Sequence, residues 1–346
     1  MTADLGDAPT EPARSGRGRI PWRRVVGFLV VGLVFHLALY LPYTRIVRAG
    51  HKAVRSDRAF VLTAPREISL LVCGDSHPRT AIDPGMLGDD VVNIAIGGEH
   101  YLKTWYRMRA LVERTGRTVD TLLLPLDAGS FSGWHAENFA PEFVWGRYVD
   151  FLEIGRVRGD RWDYVGRQLK ASIFPYAGEL RTINQLRTKR FGFGEDLPTG
   201  SFGDLSVPER RLAALTQAKE HFKDADLMDP GLRWAFDSLI RWADEHGVKV
   251  VLVAFPVTAM YDGWVQRLGI RERVQREVVD PVTANPNHVY LDFHDLFAGR
   301  DHLFSDPHHL NAAGRVAFSR RLRTALVDRG LLPAGPDRPP TPGLDE

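Results

Sequence analysis

The segment ISLLVCGDSHPRTAIDP, residues 68–84, contains the transition that decides the fold. Its first six residues are mostly apolar, without a polar residue at every second position, which is typical of a strand buried on both faces of a parallel sheet. The run ends abruptly in Gly74-Asp75-Ser76-His77, a sequence that favours a tight turn. We therefore predict a buried strand that ends at the edge of a sheet, with the Ser76 hydroxyl just beyond it.

Four more runs have the same character. They are VVNIAI (91–96), VDTLLLPL (119–126), VKVVLVAF (248–255) and HVYLDF (288–293). Amphipathic helical patterns lie at 100–116, 230–247 and 311–330, and the first of them ends in Gly116, which suits a helix C-cap. Because strands alternate with helices, we expect a three-layer α/β/α domain over 66–330, doubly wound around about five parallel strands.

The interval between the third and fourth predicted strands is too long for a simple crossover. It spans residues 130–230, is rich in aromatic side chains, and contains the Gly-rich stretch TKRFGFGEDLPTGSFGD (188–204), which is typical of a loop. We interpret it as an inserted, mostly helical cap over the carboxyl ends of the strands. Its aromatic side chains either line a substrate groove or form the core of the insertion.

The N-terminal region differs from the rest of the chain. Residues 1–21 are rich in Pro, Gly and Arg and are expected to be disordered, as are residues 331–346. The uncharged run Val25–Leu41 is close to the minimum length for crossing a bilayer, and Trp22 and Tyr43 suit the two interfaces. No small-residue cleavage site follows the run. We therefore predict an uncleaved membrane anchor over 22–44 and a linker over 45–65.

Charge and cysteine content narrow the function classes. The net charge of +2 predicts no attraction to nucleic acid, and Cys73, as the single cysteine, excludes an internal disulfide framework. Arginine and lysine flank the anchor on both sides, so the positive-inside rule does not decide its orientation. Because a short tail precedes the span and a large domain follows it, we expect the domain outside the cytoplasmic membrane.

Polar residues collect at the predicted strand ends, where doubly wound sheets form their sites. Ser76 follows the first strand, Gly98 the second, and Asp306 and His309 the fifth. Acyl transfer needs a nucleophile, a base, a group that orients the base, and donors for the oxyanion. Ser76, His309 and Asp306 could fill the first three roles, and the backbone N–H groups of Ser76 and Gly98 the fourth.

These motifs resemble those of the SGNH (GDSL-type) hydrolase superfamily. VCGDSH carries Ser76, VVNIAIGGEH carries Gly98, and DPHHLNAAG carries Asp306 and His309. The resemblance covers roughly 66–128 and 245–330, but not the insertion. It implies a flavodoxin-like fold, a Ser76–His309–Asp306 triad with its oxyanion hole at Ser76 and Gly98, and neither a metal nor a cofactor.

The third block of that family departs from its pattern here. The family has Gly-x-Asn-Asp, whose Asn donates to the oxyanion, whereas this chain reads LLLPLDAGSF with Asp127 at that place. An ionised carboxylate cannot donate a hydrogen bond, and loss of one donor costs about 10²–10³ in rate. The anchor, the insertion and this departure together resemble the layout of proteins that O-acylate exported polysaccharides, such as those of alginate acetylation and teichoic-acid D-alanylation.

That resemblance implies a serine-dependent ester hydrolase or O-acyltransferase acting on acylated cell-envelope polysaccharide or glycolipid, beside a membrane partner that exports the acyl group. Further candidates for substrate contact or auxiliary roles are Asp75, His77, Asp127, His308 and Asn311. Two alternatives stay open. One is a non-catalytic anchored scaffold or glycan-binding protein, and the other is a metal-dependent phosphoesterase that uses the His and Asp residues at the strand ends.

Overall fold

A computed structural model of the chain describes residues 21–134, 148–149, 161–174, 200–222 and 228–334. Residues 1–20 and 335–346, which make up most of the predicted disordered segments 1–21 and 331–346, lie outside these residues, as does most of the interval 130–230. Leu332, at the start of the second segment, is 5% exposed and packs in the core, so the domain extends past residue 330.

The described strands form two parallel sheets. Their bounds are β1 Glu67–Ile68, β2 Leu70–Val72, β3 Val91–Asn93, β4 Thr118–Val119, β5 Thr121–Pro125, β6 Lys249–Ala254 and β7 His288–Asp292. The main sheet has the order β3-β2-β5-β6-β7, and β1 pairs with β4 as a short second sheet. All pairs in the main sheet are parallel. The five predicted strands are thus confirmed, in a doubly wound order whose switch point lies between β2 and β5.

Helices cover both faces of the main sheet. Their bounds are α1 Trp22–Pro42, α2 Lys52–Thr63, α3 Ser76–Ala81, α4 Pro84–Leu87, α5 Tyr101–Thr115, α6 Arg161–Ile173, α7 Val207–His221, α8 Pro230–Glu245, α9 Ala259–Arg267, α10 Ile270–Val274, α11 Asp280–Thr283 and α12 Ala312–Asp328. Gly116 ends α5 with a φ of 62°, in the left-handed conformation expected of a glycine C-cap. The three helical patterns predicted from sequence correspond to α5, α8 and α12.

Successive residues of the central strands enter two separate cores. In β5, Leu122 and Leu124 pack with Tyr106 of α5 and Phe236 of α8 on one face. Leu123 packs on the other face with residues of α3, α4 and α12. Both sides of each central strand are therefore buried, which explains why the strand sequences are continuously apolar.

The N-terminal helix α1 continues into a π-helical turn at Tyr43–Arg48. An 18-residue window of the segment Trp22–Ile46 has a mean hydropathy of 2.2 and contains no buried residue. Within the described residues, it is the one helix long and apolar enough to cross a membrane.

The segment treated as a linker from its sequence holds helix α2, which packs onto the domain. Phe60 is 2% exposed and belongs to the core. Asp57 accepts a hydrogen bond from Arg107 of α5 at 2.6 Å, and Arg107 also donates to Glu99 at 3.0 Å. Because all three charged groups are buried, α2 is tied to the main domain by an internal ion-pair network.

Three long helices, α6, α7 and α8, lie in the described part of the interval between β5 and β6. Helix α6 ends at Ile173, and α7 begins after Ser206, whose capping box with Glu209 satisfies the first turn. Helix α7 packs against α9, which follows β6. This packing brings α7 to the carboxyl end of the sheet.

Candidate active site

The turn after β2 positions Ser76. Gly74 has a φ of +116°, and a Cβ there would lie 2.5 Å from the ring of Pro125, so the close approach of the two strand ends requires glycine. Asp75 then caps α3, because its side chain accepts the backbone N–H of His77 at 2.9 Å. Ser76 becomes the first residue of α3, directly beyond the sheet.

His309 reaches Ser76 from the other end of the chain. Its Nε2 atom lies 2.7 Å from Ser76 Oγ, and its Nδ1 atom lies 2.8 Å from Asp306 Oδ2. The other oxygen of Asp306 accepts the backbone N–H groups of His308 and His309 at 3.0 and 2.9 Å. The three-residue spacing of Asp306 and His309 follows from this turn, because the Asp306 carboxylate accepts the backbone N–H groups of the loop and also contacts the His309 imidazole.

The Asp306 carboxyl is adapted to remain ionised. Burial raises its pKa, but the hydrogen bond and charge of His309 and the two backbone donors outweigh burial and hold the pKa below its usual range. Ser76, His309 and Asp306 therefore form a connected chain of hydroxyl, imidazole and ionised carboxylate, the arrangement that nucleophilic catalysis by a serine requires.

Gly98 lies in the loop after β3, beside Ser76. Ile96 N–H donates to Gly74 O at 2.9 Å, which ties the two loops together. A Cβ built on Gly97 would lie 3.8 Å from the Cβ of Ser76. Gly98 itself has a φ of +76°, and its carbonyl oxygen accepts the buried Lys103 ammonium at 3.0 Å. The loop is thus held where a Gly98 N–H can approach a group bound to Ser76.

Asp127 lies after β5, but its carboxylate holds other groups. One oxygen accepts Phe255 N–H at 2.8 Å, and the other lies 2.7 Å from His77 Nδ1. Its own backbone N–H donates to Ser130 Oγ at 2.9 Å. Asp127 is therefore an anchor for His77 rather than a hydrogen-bond donor to the site.

The imidazole of His77 is basic in this setting. Burial lowers its pKa, but the charge and hydrogen bond of Asp127 and the charges of Asp75 and Asp306 outweigh burial and raise the pKa to about 9. Its Nε2 atom lies 3.0 Å from His308 Nδ1. At neutral pH, the pocket wall beside Ser76 thus carries an imidazolium that donates to His308.

His308 connects this pair to residues that the motif analysis missed. Its ring lies 3.9 Å from that of His309 and 4.8 Å from that of His221, between centroids. His221 Nδ1 lies 2.7 Å from the Tyr261 hydroxyl, and its Nε2 lies 2.6 Å from Gln217 Nε2. Tyr261 follows β6, so its position after a strand end was a usable signal, whereas Gln217 and His221 on α7 offered none.

All these groups surround one pocket with a volume of about 290 Å³. Its lining includes Ser76, His77, Gly98, Asp127, Trp134, Gln217, His221, Tyr261, Arg271, Asp306, His308 and His309, together with Asp75. This volume is near the lower end of ligand sites and suits a small group at the serine.

Asn311 has a different environment from the other candidates. Its side-chain oxygen accepts Gly314 N–H at 3.0 Å as the N-cap of α12, and its amide donates to the carbonyl of His302 at 2.8 Å. It does not line the pocket that holds Ser76. These contacts give Asn311 a structural role at the start of α12.

The histidines and aspartates at the strand ends divide into separate groups. Asp292 and His294 pair with each other at 2.6 Å on the surface after β7. Among the described residues, His77, His308 and His309 could hold a metal ion, because their ligand atoms lie within 4.8 Å of one another.

Comparisons with known proteins do not identify the chain. No family model and no curated protein match it. It is similar to a solved structure from Streptococcus pneumonia, provisionally described as a platelet activating factor, with 13% identity and a TM-score of 0.36. The match covers 88% of this chain and 99% of that one. At this TM-score, the likeness supports neither a family nor a function.

Proposed function

We propose that this protein is a serine-dependent ester hydrolase or O-acyltransferase of the SGNH type. The observation that carries the proposal is the chain of contacts from Ser76 Oγ through the His309 imidazole to Asp306, at 2.7 and 2.8 Å. It supports the activity because it unites a nucleophile, a base and an orienting group in one pocket. The three-layer doubly wound sheet, with Ser76 at the switch point, is consistent with a flavodoxin-like fold of that superfamily.

In the first half-reaction, Ser76 Oγ attacks the carbonyl carbon of an ester while His309 Nε2 takes the hydroxyl proton. Asp306 keeps the proton of His309 on Nδ1, so that Nε2 is free to accept. The tetrahedral intermediate then collapses, its C–O bond to the leaving alcohol breaks, and His309 returns the proton to that alcohol. An acyl group remains on Ser76.

In the second half-reaction, a hydroxyl group enters where the alcohol left. His309 removes its proton, its oxygen attacks the acyl carbonyl, and Ser76 is released with the proton from His309. Water gives hydrolysis, and a sugar hydroxyl gives transfer. The narrow pocket favours a short acyl group such as acetyl, while Trp134 and Gln217 could contact the acceptor.

The negative oxygen of each intermediate needs donors. The N–H groups of Ser76 and Gly98 are suited to this role by the position of their loops, and the imidazolium of His77 adds positive charge to the same wall. Asp127, which stands where the resembled family has a donor, acts in this proposal by holding His77.

The anchor suggests where the substrate lies. A domain tied to a membrane by α1 and packed directly onto α2 would act close to the lipid surface. We propose acylated envelope polysaccharide or glycolipid as substrate, with the domain outside the cytoplasmic membrane. A membrane protein that exports the acyl group would be its partner in a transfer reaction.

A fluorophosphonate probe tests the nucleophile. We expect labelling of the full-length protein in detergent, with loss of labelling in Ser76→Ala. Ser206→Ala, which removes an exposed serine from the start of α7, is the matched control and should label normally. Folded wild-type protein that resists labelling, or Ser76→Ala protein that labels as the wild type does, would refute the proposal.

A second measurement separates hydrolysis from transfer. The protein is incubated with a small acetyl ester, with and without an oligosaccharide, and both free acetate and acetylated sugar are quantified. Transfer predicts acetylated sugar formed at the expense of acetate. Acetate released at the same rate with and without sugar identifies a hydrolase.

A further inference from the structure

Three imidazole nitrogen atoms meet on one wall of the pocket. One ring nitrogen from each of His77, His308 and His309 lies within 4.8 Å of the other two. His308 is 7% exposed, so the cluster is largely shielded from solvent while remaining open to the pocket.

In two of these rings, the nitrogen that points away from the cluster contacts a carboxylate. Asp127 lies 2.7 Å from Nδ1 of His77, and Asp306 lies 2.8 Å from Nδ1 of His309. In both rings the Nε2 atom is thereby directed toward the cluster. Metal-binding histidines characteristically make such a bond through their second nitrogen, because it fixes the ring and strengthens the ligand.

The carboxylates are themselves held in place. Asp127 accepts Phe255 N–H at 2.8 Å, and Asp306 accepts two backbone N–H groups of its own loop. The ring orientations are therefore determined before any ligand arrives, which reduces the cost of assembling a metal site.

The distance between the His77 and His308 nitrogen atoms is close to that between two ligands of one metal ion. His77 Nε2 and His308 Nδ1 lie 3.0 Å apart and share one proton. Ligand nitrogens in a tetrahedral Zn²⁺ site, with bonds of about 2.0–2.1 Å, are about 3.3 Å apart. A metal that replaces the shared proton would move these atoms by a few tenths of an ångström, and His309 would turn from Ser76 Oγ toward the metal.

The surrounding charge favours a dication. Three carboxylates, those of Asp75, Asp127 and Asp306, line the pocket together with one guanidinium, that of Arg271. The proton that His77 carries at neutral pH is released when a metal binds its nitrogen. Imidazole is a suitable ligand for zinc, copper and nickel, and carboxylates in the second layer add attraction.

We propose that His77, His308 and His309 bind a divalent transition metal such as Zn²⁺, with water as the fourth ligand. Binding would occupy the nitrogen with which His309 takes the serine proton, and the metal would therefore inhibit acyl transfer reversibly. Metal binding itself is independent of the proposed function, and only the inhibition rests on it.

Calorimetric titration of Zn²⁺ into untagged, metal-stripped, full-length protein in detergent tests the site. We expect one ion per chain and at least about tenfold weaker binding in His308→Ala. Ser76→Ala keeps all three rings and should bind within a few-fold of wild type. His302→Ala removes an exposed histidine from the same region and is the matched control with unchanged affinity.

Asp127→Asn provides a second variant in case His308→Ala does not fold, which circular dichroism would reveal. It retains all three histidines and is expected to bind Zn²⁺ about 10–100-fold more weakly. The proposed metal site would be refuted if the wild type did not bind Zn²⁺. It would also be refuted if both His308→Ala and Asp127→Asn bound Zn²⁺ with wild-type affinity.

Ester hydrolysis measured during the same titration distinguishes this inference from the proposed function. Activity that falls as Zn²⁺ fills the site and returns with EDTA supports both. Activity unchanged at saturating Zn²⁺ overturns the inhibition and leaves the serine mechanism standing. Activity that is absent without metal and appears with Zn²⁺ overturns the serine mechanism and the inhibition, while the metal site stands.

Discussion

The Nδ1 atom of His77 lies 2.7 Å from the Oδ2 atom of Asp127, the same contact that joins His309 to Asp306 at 2.8 Å. Two aspartate–histidine pairs thus line one pocket. One pair ends on Ser76 Oγ, and the other ends on the His308 ring. In the proposed mechanism the first pair provides the base, whereas the second holds an imidazolium at neutral pH because the pKa of His77 is raised to about 9.

The Asp127–His77 pair predicts a pH-dependent stability. The pKa of His77 in the folded protein, about 9, lies above the value of about 6.5 expected when unfolded. The folded state therefore binds more protons between these values. This contribution is fully present below pH 6.5 and is lost as the pH rises through about 9. The groups that face His77 are Asp75, Asp127, Asp306, His308 and His309.

Urea denaturation from pH 6 to pH 9.5, in EDTA, measures this effect. The wild type should lose stability across the range, whereas Asp127→Asn should show a smaller loss because its amide does not hold the imidazolium. Parallel curves for the two proteins would contradict the assignment of charge to His77.

Asp306→Asn should lower kcat by about 10³–10⁴ with little change in KM. An amide at this position can donate to Nδ1 of His309, which places the imidazole proton on Nε2 and removes the acceptor for Ser76. Asp292→Asn, in the exposed pair with His294, is the matched control and should retain wild-type kinetics. Stopped-flow or steady-state ester hydrolysis measures both, and equal losses in the two variants would disprove the role of Asp306.

Two glycines near the site should respond differently to alanine. Gly98 has a φ of +76° and no atom within 4 Å of an added Cβ, so substitution costs only backbone strain of about 1–2 kcal/mol. Gly74 combines a φ of +116° with a Cβ contact of 2.5 Å to Pro125, and Gly74→Ala should prevent stable folding. Gly263→Ala, within α9 and uncrowded, should stabilise by about 0.5–1 kcal/mol. Thermal denaturation ranks the three, and Gly74→Ala as stable as Gly98→Ala would contradict the packing argument.

The sheet and the triad were predictable because their signals are local. A strand buried on both faces must be apolar at every position, and the runs around Leu71, Leu123 and Val251 show this directly. Asp306 and His309 are three residues apart, so one turn sets their geometry. Because the carboxyl ends of parallel strands share one edge of the sheet, Ser76 and His309 were expected to lie close together.

Other features depend on contacts that no local pattern reveals. The sequence of helix α2 is too polar to indicate burial. Its Asp57 can be buried only because it pairs with Arg107, which lies 50 residues away in the sequence. The pKa of His77 is raised chiefly by Asp127, which lies after a different strand. His221 reaches the pocket through the packing of α7 against α9.

The buried network around Arg107 provides the last prediction. Arg107 is 1% exposed and donates to Asp57 at 2.6 Å, to Glu99 at 3.0 Å and to the carbonyl of Ile94 at 2.7 Å. Arg107→Met leaves two buried carboxylates without their cation, and breaking a buried pair in this way costs about 3–5 kcal/mol. Because Glu99 adjoins Gly98, the loop beside Ser76 should also lose its position.

Chemical denaturation compares this variant with Arg273→Met, whose half-exposed pair with Glu277 should contribute less than about 1 kcal/mol. Adding Asp57→Asn and Glu99→Gln to Arg107→Met removes the unpaired charges and should restore part of the lost stability. If Arg107→Met unfolds at the wild-type denaturant midpoint, the network does not join α2 to the domain. If the triple variant is no more stable than Arg107→Met, the cost arises from lost packing rather than from unpaired charge.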